Sequence, residues 1–241
     1  MKLQCKHPRH REDRLDTLPD LEAEDHPGLV ITGEDVLEGI SLLSMDSTQG
    51  ASGLTNNVLK FLGSYGTEEE SALFATRVAA VFNKIYAGTM TEGTRFMWTR
   101  TRSVLIPKPE PEAYRPIGIG DSMHHLLMIL AYSRNVAAIG RSLAPRQLAV
   151  GMPGGSEMRA RVVHLHFHKE YDRDTDWRLA PATIKVDSKT CWNEASAALA
   201  FAKSKELAPE LVRLGYWTHV DPLDLVHGGV VVGQRELGCR Q

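Results

Sequence analysis

Three absences narrow this 241-residue chain before any motif is considered. Cysteine is nearly missing: Cys5, Cys191 and Cys239 stand far apart and form no Cys-x-x-Cys pair. That excludes a disulfide framework and fits a reducing, intracellular setting. Long hydrophobic runs are missing too. The longest, Leu126 to Tyr132, is far shorter than the roughly 20 residues that span a bilayer, and no apolar stretch follows the N-terminal charges as a secretory signal requires. A charge excess is also absent: the formal net charge is −2, so no global positive field draws the chain to nucleic acid. Any such contact has to come from a local patch.

What remains is a chain with 42% apolar residues, enough to bury a core. Residues 1–28 are the exception, a leader of charge, His and Pro with little to bury. Cys5, His7 and His10 lie there without a fourth ligand, so a solvated tail is preferred to a metal site. Beyond it the pattern turns globular. A short helix is predicted over 34–44. A polar loop, SMDSTQGASGLTNN, leads to a second helix near Thr55 with Leu54, Val58, Leu59 and Leu62 on one face, ended by Gly63 and Gly66. Thr67 and Glu70 have capping-box spacing before a helix carrying Phe74, Val78, Val81, Phe82 and Ile85 at helical intervals.

Residues 102–120 read as a loose hairpin, SVLIP and YRPIGIG around KPEPEA, because its prolines exclude a helix. Asp121 is a plausible N-cap for a long apolar helix reaching Leu143, with Leu126, Leu127, Ile129, Leu130, Tyr132 and Val136 on several faces. Pro153-Gly154-Gly155 breaks the chain, and Ser156 caps a helix to about His168. TIKVD (183–187) alternates with period two. A helix over 191–205 follows, then one opened by Pro209 and ended by Gly215, then two strands around Gly228-Gly229. Mixed helix and strand order gives an α+β class.

Few residues carry chemistry. Asp187 ends a strand-like run, where a carboxylate can hold a metal ion at a sheet edge or simply cap the next helix. Lys108 and Arg115 flank a proline-stiffened hairpin and can offer two cations to phosphates, or be ordinary surface charges. With Arg95, Arg100 and Arg102 they make 95–115 the one locally basic stretch, the only candidate for phosphate-backbone contact. His164, His166 and His168 lack the Glu that a helical zinc-protease motif needs, so a solvated or partly buried helix is preferred.

Two strings resemble reverse transcriptases of non-LTR retrotransposons. LIPKPEPEAYRPIGIGD is similar to their fingers hairpin, with I-P-K-P, a short turn and Y-R-P-I. DSKTCWN (187–193) resembles their first catalytic motif, with Trp192 where Phe is usual and Cys191 where Ala is usual. The loop containing Gly50 and Gly53 resembles the segment before the fingers, and Gln147 to Gly155 resembles a looser Q-x-G-x-x-G-G. Gly238-Cys239-Arg240-Gln241 is similar to the start of G-V-R-Q-G-D-P.

The resemblance implies helix-rich fingers with a β-hairpin (29–180) plus an incomplete palm sheet of a right-hand polymerase (181–241). It assigns Asp187 to catalysis and to magnesium, and Lys108, Arg115, Trp192 and Gln241 to the incoming nucleotide. RNA/DNA template–primer and dNTP are the implied partners, Mg2+ the implied cofactor, and an intracellular location, with the nucleus among the compartments the resemblance allows, is implied. The Tyr-x-Asp-Asp hairpin is not in this sequence. The expectation is therefore RNA-directed DNA polymerase ancestry without activity in this chain alone, and self-association through an open sheet edge at the strand ending in Asp187. The alternative is a non-catalytic nucleic-acid-binding or interaction module that reuses the fingers surface.

Overall fold

The computed structural model describes residues 28–107, 109, 114–148, 150–170, 197–219 and 223–235. Two capping boxes organise its first helices. Thr32 Oγ1 accepts from the Asp35 amide at 3.2 Å, and Asp35 Oδ2 accepts from the Thr32 amide at 2.7 Å, which starts α1 (Gly33–Leu42). Thr67 and Glu70 make the same reciprocal pair at 3.3 and 2.8 Å and start α3 (Glu68–Tyr86), as their spacing predicts. Each box satisfies two amides that a helix N-terminus would otherwise leave without partners. Thr67→Ala should lower the unfolding free energy by about 1 kcal/mol, measured by urea denaturation, whereas Thr67→Ser should be nearly neutral.

Between them α2 (Asn56–Ser64) is capped by Thr55, whose hydroxyl accepts from the Val58 amide at 3.4 Å. Its inner face differs from the expected one. Asn56 and Leu59 are buried, while Val58 and Leu62 are exposed. Gly63 is the penultimate residue of α2, so the helix ends where the glycines predict. A Cβ there would stand 3.3 Å from both methyl carbons of Ile40, so the glycine lets α1 approach closely. Gly66, at φ +80°, provides the break.

The core lies among α1, α2, α3 and the first half of α5 (Ser122–Leu143). Val36, Phe82, Ile85, Tyr86, Leu126 and Leu127 are fully buried. Val81 is not part of this face: it is 37% exposed, and Ala75, Ala79 and Tyr86 take up the stripe with Val78, Phe82 and Ile85. Tyr132 is 51% exposed, so the apolar character of α5 does not mean burial on every side. Gly39 lets α1 cross α5, since a Cβ there would meet Leu130 Cδ2 at 2.8 Å. Polar ties fix the same packing. The Asn83 side chain pairs with both the amide and the carbonyl of Ile31 at 2.9 Å each. The Tyr86 hydroxyl donates to Leu127 O at 2.7 Å. Burial pushes that phenol well above its usual range, which keeps it a donor.

Helix α4 (Glu92–Thr99) leads into β1 (Thr101–Pro107), which pairs antiparallel with β2 (Tyr114–Ile119). The hairpin is present as the proline pattern predicts. Near the C-terminus come α7 (Ala197–Leu207), a 3-10 turn (Pro209–Leu211) and α8 (Val212–His219). Gly215 lies inside α8 rather than ending it. A mid-helix glycine costs only about 1 kcal/mol relative to alanine. Burial of Val212, Leu214 and Trp217 on the same helix outweighs that. Arg213 Nη1 donates to Ala87 O at 3.0 Å, placing a cation at the C-terminal end of α3.

β3 (Leu223–His227) and β4 (Val230–Arg235) form the hairpin expected around Gly228-Gly229, both of which have positive φ, as a tight hairpin turn needs. The sheet order is β2-β1-β3-β4, with β1 and β3 parallel through Thr101↔Leu225 and Arg102↔Val226. The hairpin at 101–119 and the hairpin at 223–235 thus share one mixed sheet. The class is α+β.

The chain divides into two compact units, 1–132 with 190–241, and 133–189. In the second, the chain after α5 folds back closely on that helix: a Cβ at Gly140 would meet Val150 O at 2.8 Å. Its other described helix, α6, is Gly155–Glu170. It begins one residue before Ser156. Gly154 O accepts the Met158 amide at 2.8 Å, so Gly154 rather than Ser156 closes the first turn. TIKVD, with the open edge expected there, falls outside the described residues.

Candidate functional site

The best-defined local construction is the junction between the β1–β2 hairpin and α5, with the Gly50–Gly53 turn seated on it. Gly53 has φ +81° and its amide donates to Gly50 O at 3.4 Å. Gly50 has a different task. A Cβ there would meet Gly120 O at 2.5 Å and Asp121 Cα at 2.6 Å, so only glycine lets the two backbones touch. Polar contacts hold this seat. The Ser52 amide donates to Asp121 Oδ2 at 3.4 Å, and the Ser122 hydroxyl donates to Leu54 O at 2.9 Å. Asp121 Oδ1 accepts from the Met123 amide at 3.0 Å and Asp121 O from the His125 amide at 2.8 Å. Asp121 is therefore the N-cap of α5, as expected, and also the anchor of a loop about 70 residues earlier.

Beside this junction is an open cleft of about 470 Å3, lined by Ser52, Gly53, Leu54, Val58, Trp98, Asp121 and Met123. Trp98 is braced by Phe82 in an edge-to-face contact, with ring centroids 5.8 Å apart and planes at 85°. Sequence reasoning did not single out Trp98 or the cleft. The available signal was the Gly-Asp-Ser run directly after a strand, together with the two glycines at 50 and 53.

The residues expected to meet nucleic acid are distributed around this framework. Arg95 is on α4, Arg100 is the C-cap of that helix, and Arg102 lies on β1 opposite Ile119. All three are half-buried rather than fully exposed, and the Nε atoms of Arg95 and Arg100 are buried. Arg115 is on β2 with its backbone opposite Ile106. Lys108, Asp187, Trp192 and Gln241 lie outside the described residues, as do Cys5, His7 and His10. Among the described residues, no three His, Cys, Asp or Glu side chains gather to hold a metal ion. No described helix is long and apolar enough to cross a membrane. No protein-family model matches this chain, and no match to a curated protein was found.

Proposed function

We propose that the chain is a reverse-transcriptase-like domain of the non-LTR type whose β1–β2 hairpin grips a template–primer, with Lys108 and Arg115 on phosphates and Arg95, Arg100 and Arg102 beside them. The supporting observation is the seat of the Gly50–Gly53 turn on Gly120 and Asp121. Two segments that resemble the same polymerase family, far apart in sequence, form one framework in space. A hairpin built this way is held at its exit by a helix cap, and its sequence carries Pro107, Pro109 and Pro111. Rigid placement of cations is what phosphate recognition needs. In the family resembled, magnesium supplies charge neutralisation during phosphoryl transfer. Asp187 is the residue proposed to hold it. The activity proposed for the described residues is binding.

Binding to a short RNA–DNA duplex, followed across a salt series, tests the reading. The affinity should fall with salt, and Lys108→Ala and Arg115→Ala should each weaken binding and lower the log–log salt slope by about 1. Binding that is independent of salt, or unchanged in both variants, would overturn it.

A further inference from the structure

The cleft at the junction contains chemistry that phosphate gripping does not use. Its walls are apolar, from Leu54, Val58, Met123 and the half-buried indole of Trp98. Its polar residues, among those described, are Ser52 and Asp121, the latter only 8% exposed. Each Asp121 carboxylate oxygen accepts one backbone amide. An ionised carboxylate offers about four lone-pair sites, so acceptor capacity remains on both oxygens. Among the described residues no Lys or Arg lines the cleft, so nothing described there neutralises a phosphate. The ligand has to bring a flat apolar body and adjacent N–H donors.

Among the nucleobases this description selects one. Guanine places two donors, N1–H and the N2 amine, side by side on its Watson–Crick edge. Adenine and cytosine each set an acceptor beside their single donor group, and uracil flanks its N–H with carbonyls. An arginine side chain also offers paired donors to a carboxylate. The nucleic-acid reading above favours the base, and the arginine side chain is an outcome of the test. The volume, about 470 Å3, is in the range of small-molecule sites.

We infer that this cleft holds an unpaired guanine, with the base against Trp98 and its donor edge on Asp121. The inference rests on the nucleic-acid reading above and assigns it a base preference. In it, the three arginines serve the backbone of the strand that delivers the base. Asp121 is the specificity-determining group, because base edges, not phosphates, carry sequence.

The test uses single-stranded oligo(U) carrying one central guanine, with inosine or adenine at the same place, and guanosine alone followed by tryptophan fluorescence. Inosine lacks the N2 amine, so it should bind about tenfold more weakly than guanine. Asp121→Asn keeps a capping side chain and should erase the difference between guanine and adenine. Val58→Arg changes an exposed residue at the cleft wall. It should remove guanosine binding while leaving salt-dependent oligo(U) binding intact. Oligo(U) binding without a guanine preference would overturn this inference and leave the hairpin reading standing. Loss of oligomer binding in the wild type would overturn the hairpin reading, and guanosine alone would then decide the cleft. Preference for arginine amide over guanosine would assign the cleft to a peptide and overturn the inference.

Discussion

Phe82→Ala should remove about 3–5 kcal/mol of unfolding free energy, a large share of the roughly 5–15 kcal/mol that holds a typical domain. Phe82 is fully buried at the centre of α3, within the cluster that joins α1, α2 and α5. Its ring also supports Trp98 edge-to-face, so the void opens on the side of the cleft wall. Two readouts should move together: the urea midpoint, and the tryptophan emission, to which Trp98 contributes. Phe82→Leu should cost much less, because it keeps most of the volume. Tyr86→Phe, one turn along the same helix, separates packing from polarity. It leaves the Leu127 carbonyl without its buried donor and should cost about 1–3 kcal/mol. The pH dependence has a definite sign. The folded phenol titrates above the unfolded one, near 10, so the native state favours the protonated form. That stability is fully present below the unfolded value and is lost as pH rises above it. Tyr86→Phe should flatten this alkaline limb. A loss below about 1 kcal/mol for Phe82→Ala, well under the usual large-to-small range, would place the core elsewhere than around α3.

The parts of this fold legible in the sequence are those fixed by local chemistry. The Thr67–Glu70 box, the Asp121 cap, the proline hairpin and the Gly228-Gly229 turn each depend on residues within a few positions of one another, and each is present. The misplaced details depend on distant partners. Gly215 reads as a helix stop, because glycine lowers helix propensity, yet it lies inside α8. What keeps α8 running past it is the burial of Leu214 and Trp217 in a core whose other residues come from far earlier in the chain. The same limit applies to the site. A basic run from Arg95 to Arg115 is visible in one dimension. That Arg95, Arg100 and Arg102 are half-buried depends on how α4 and β1 pack. The cleft was least legible of all, because its described lining comes from four segments between Ser52 and Met123, and the Trp98 ring in its wall is braced by Phe82. Asp121 shows both sides of the matter. Its capping role follows from its place before an apolar helix, while its hold on Ser52 requires the Gly50–Gly53 turn to arrive from far away in the chain.

Gly50→Ala is the sharpest probe of that arrival. The atoms a new Cβ would meet, Gly120 O at 2.5 Å, Asp121 Cα at 2.6 Å and the Asp121 amide at 2.8 Å, are all backbone. None can rotate away as a long side chain could. Relief requires the turn to lift off the junction, and the Ser52 amide to Asp121 and Ser122 to Leu54 bonds then stretch or break. The expected loss is about 2–3 kcal/mol, at the upper end of overpacking costs because hydrogen bonds are lost as well. Two other glycines calibrate it. Gly53→Ala meets no atom within 4 Å but must adopt φ +81°, which costs roughly 1–2 kcal/mol for a residue with a Cβ. Gly93 lies in α4 with open space around it, so Gly93→Ala should stabilise by about 0.5–1 kcal/mol. The order Gly93→Ala above wild type, then Gly53→Ala, then Gly50→Ala lowest is therefore required. Faster amide exchange at 50–54 and at Met123 should accompany the last variant, because the turn and the cap share Asp121. If Gly50→Ala is as stable as Gly53→Ala, the turn does not sit on Asp121. The shared framework of loop and hairpin, on which the nucleic-acid reading depends, would then be lost.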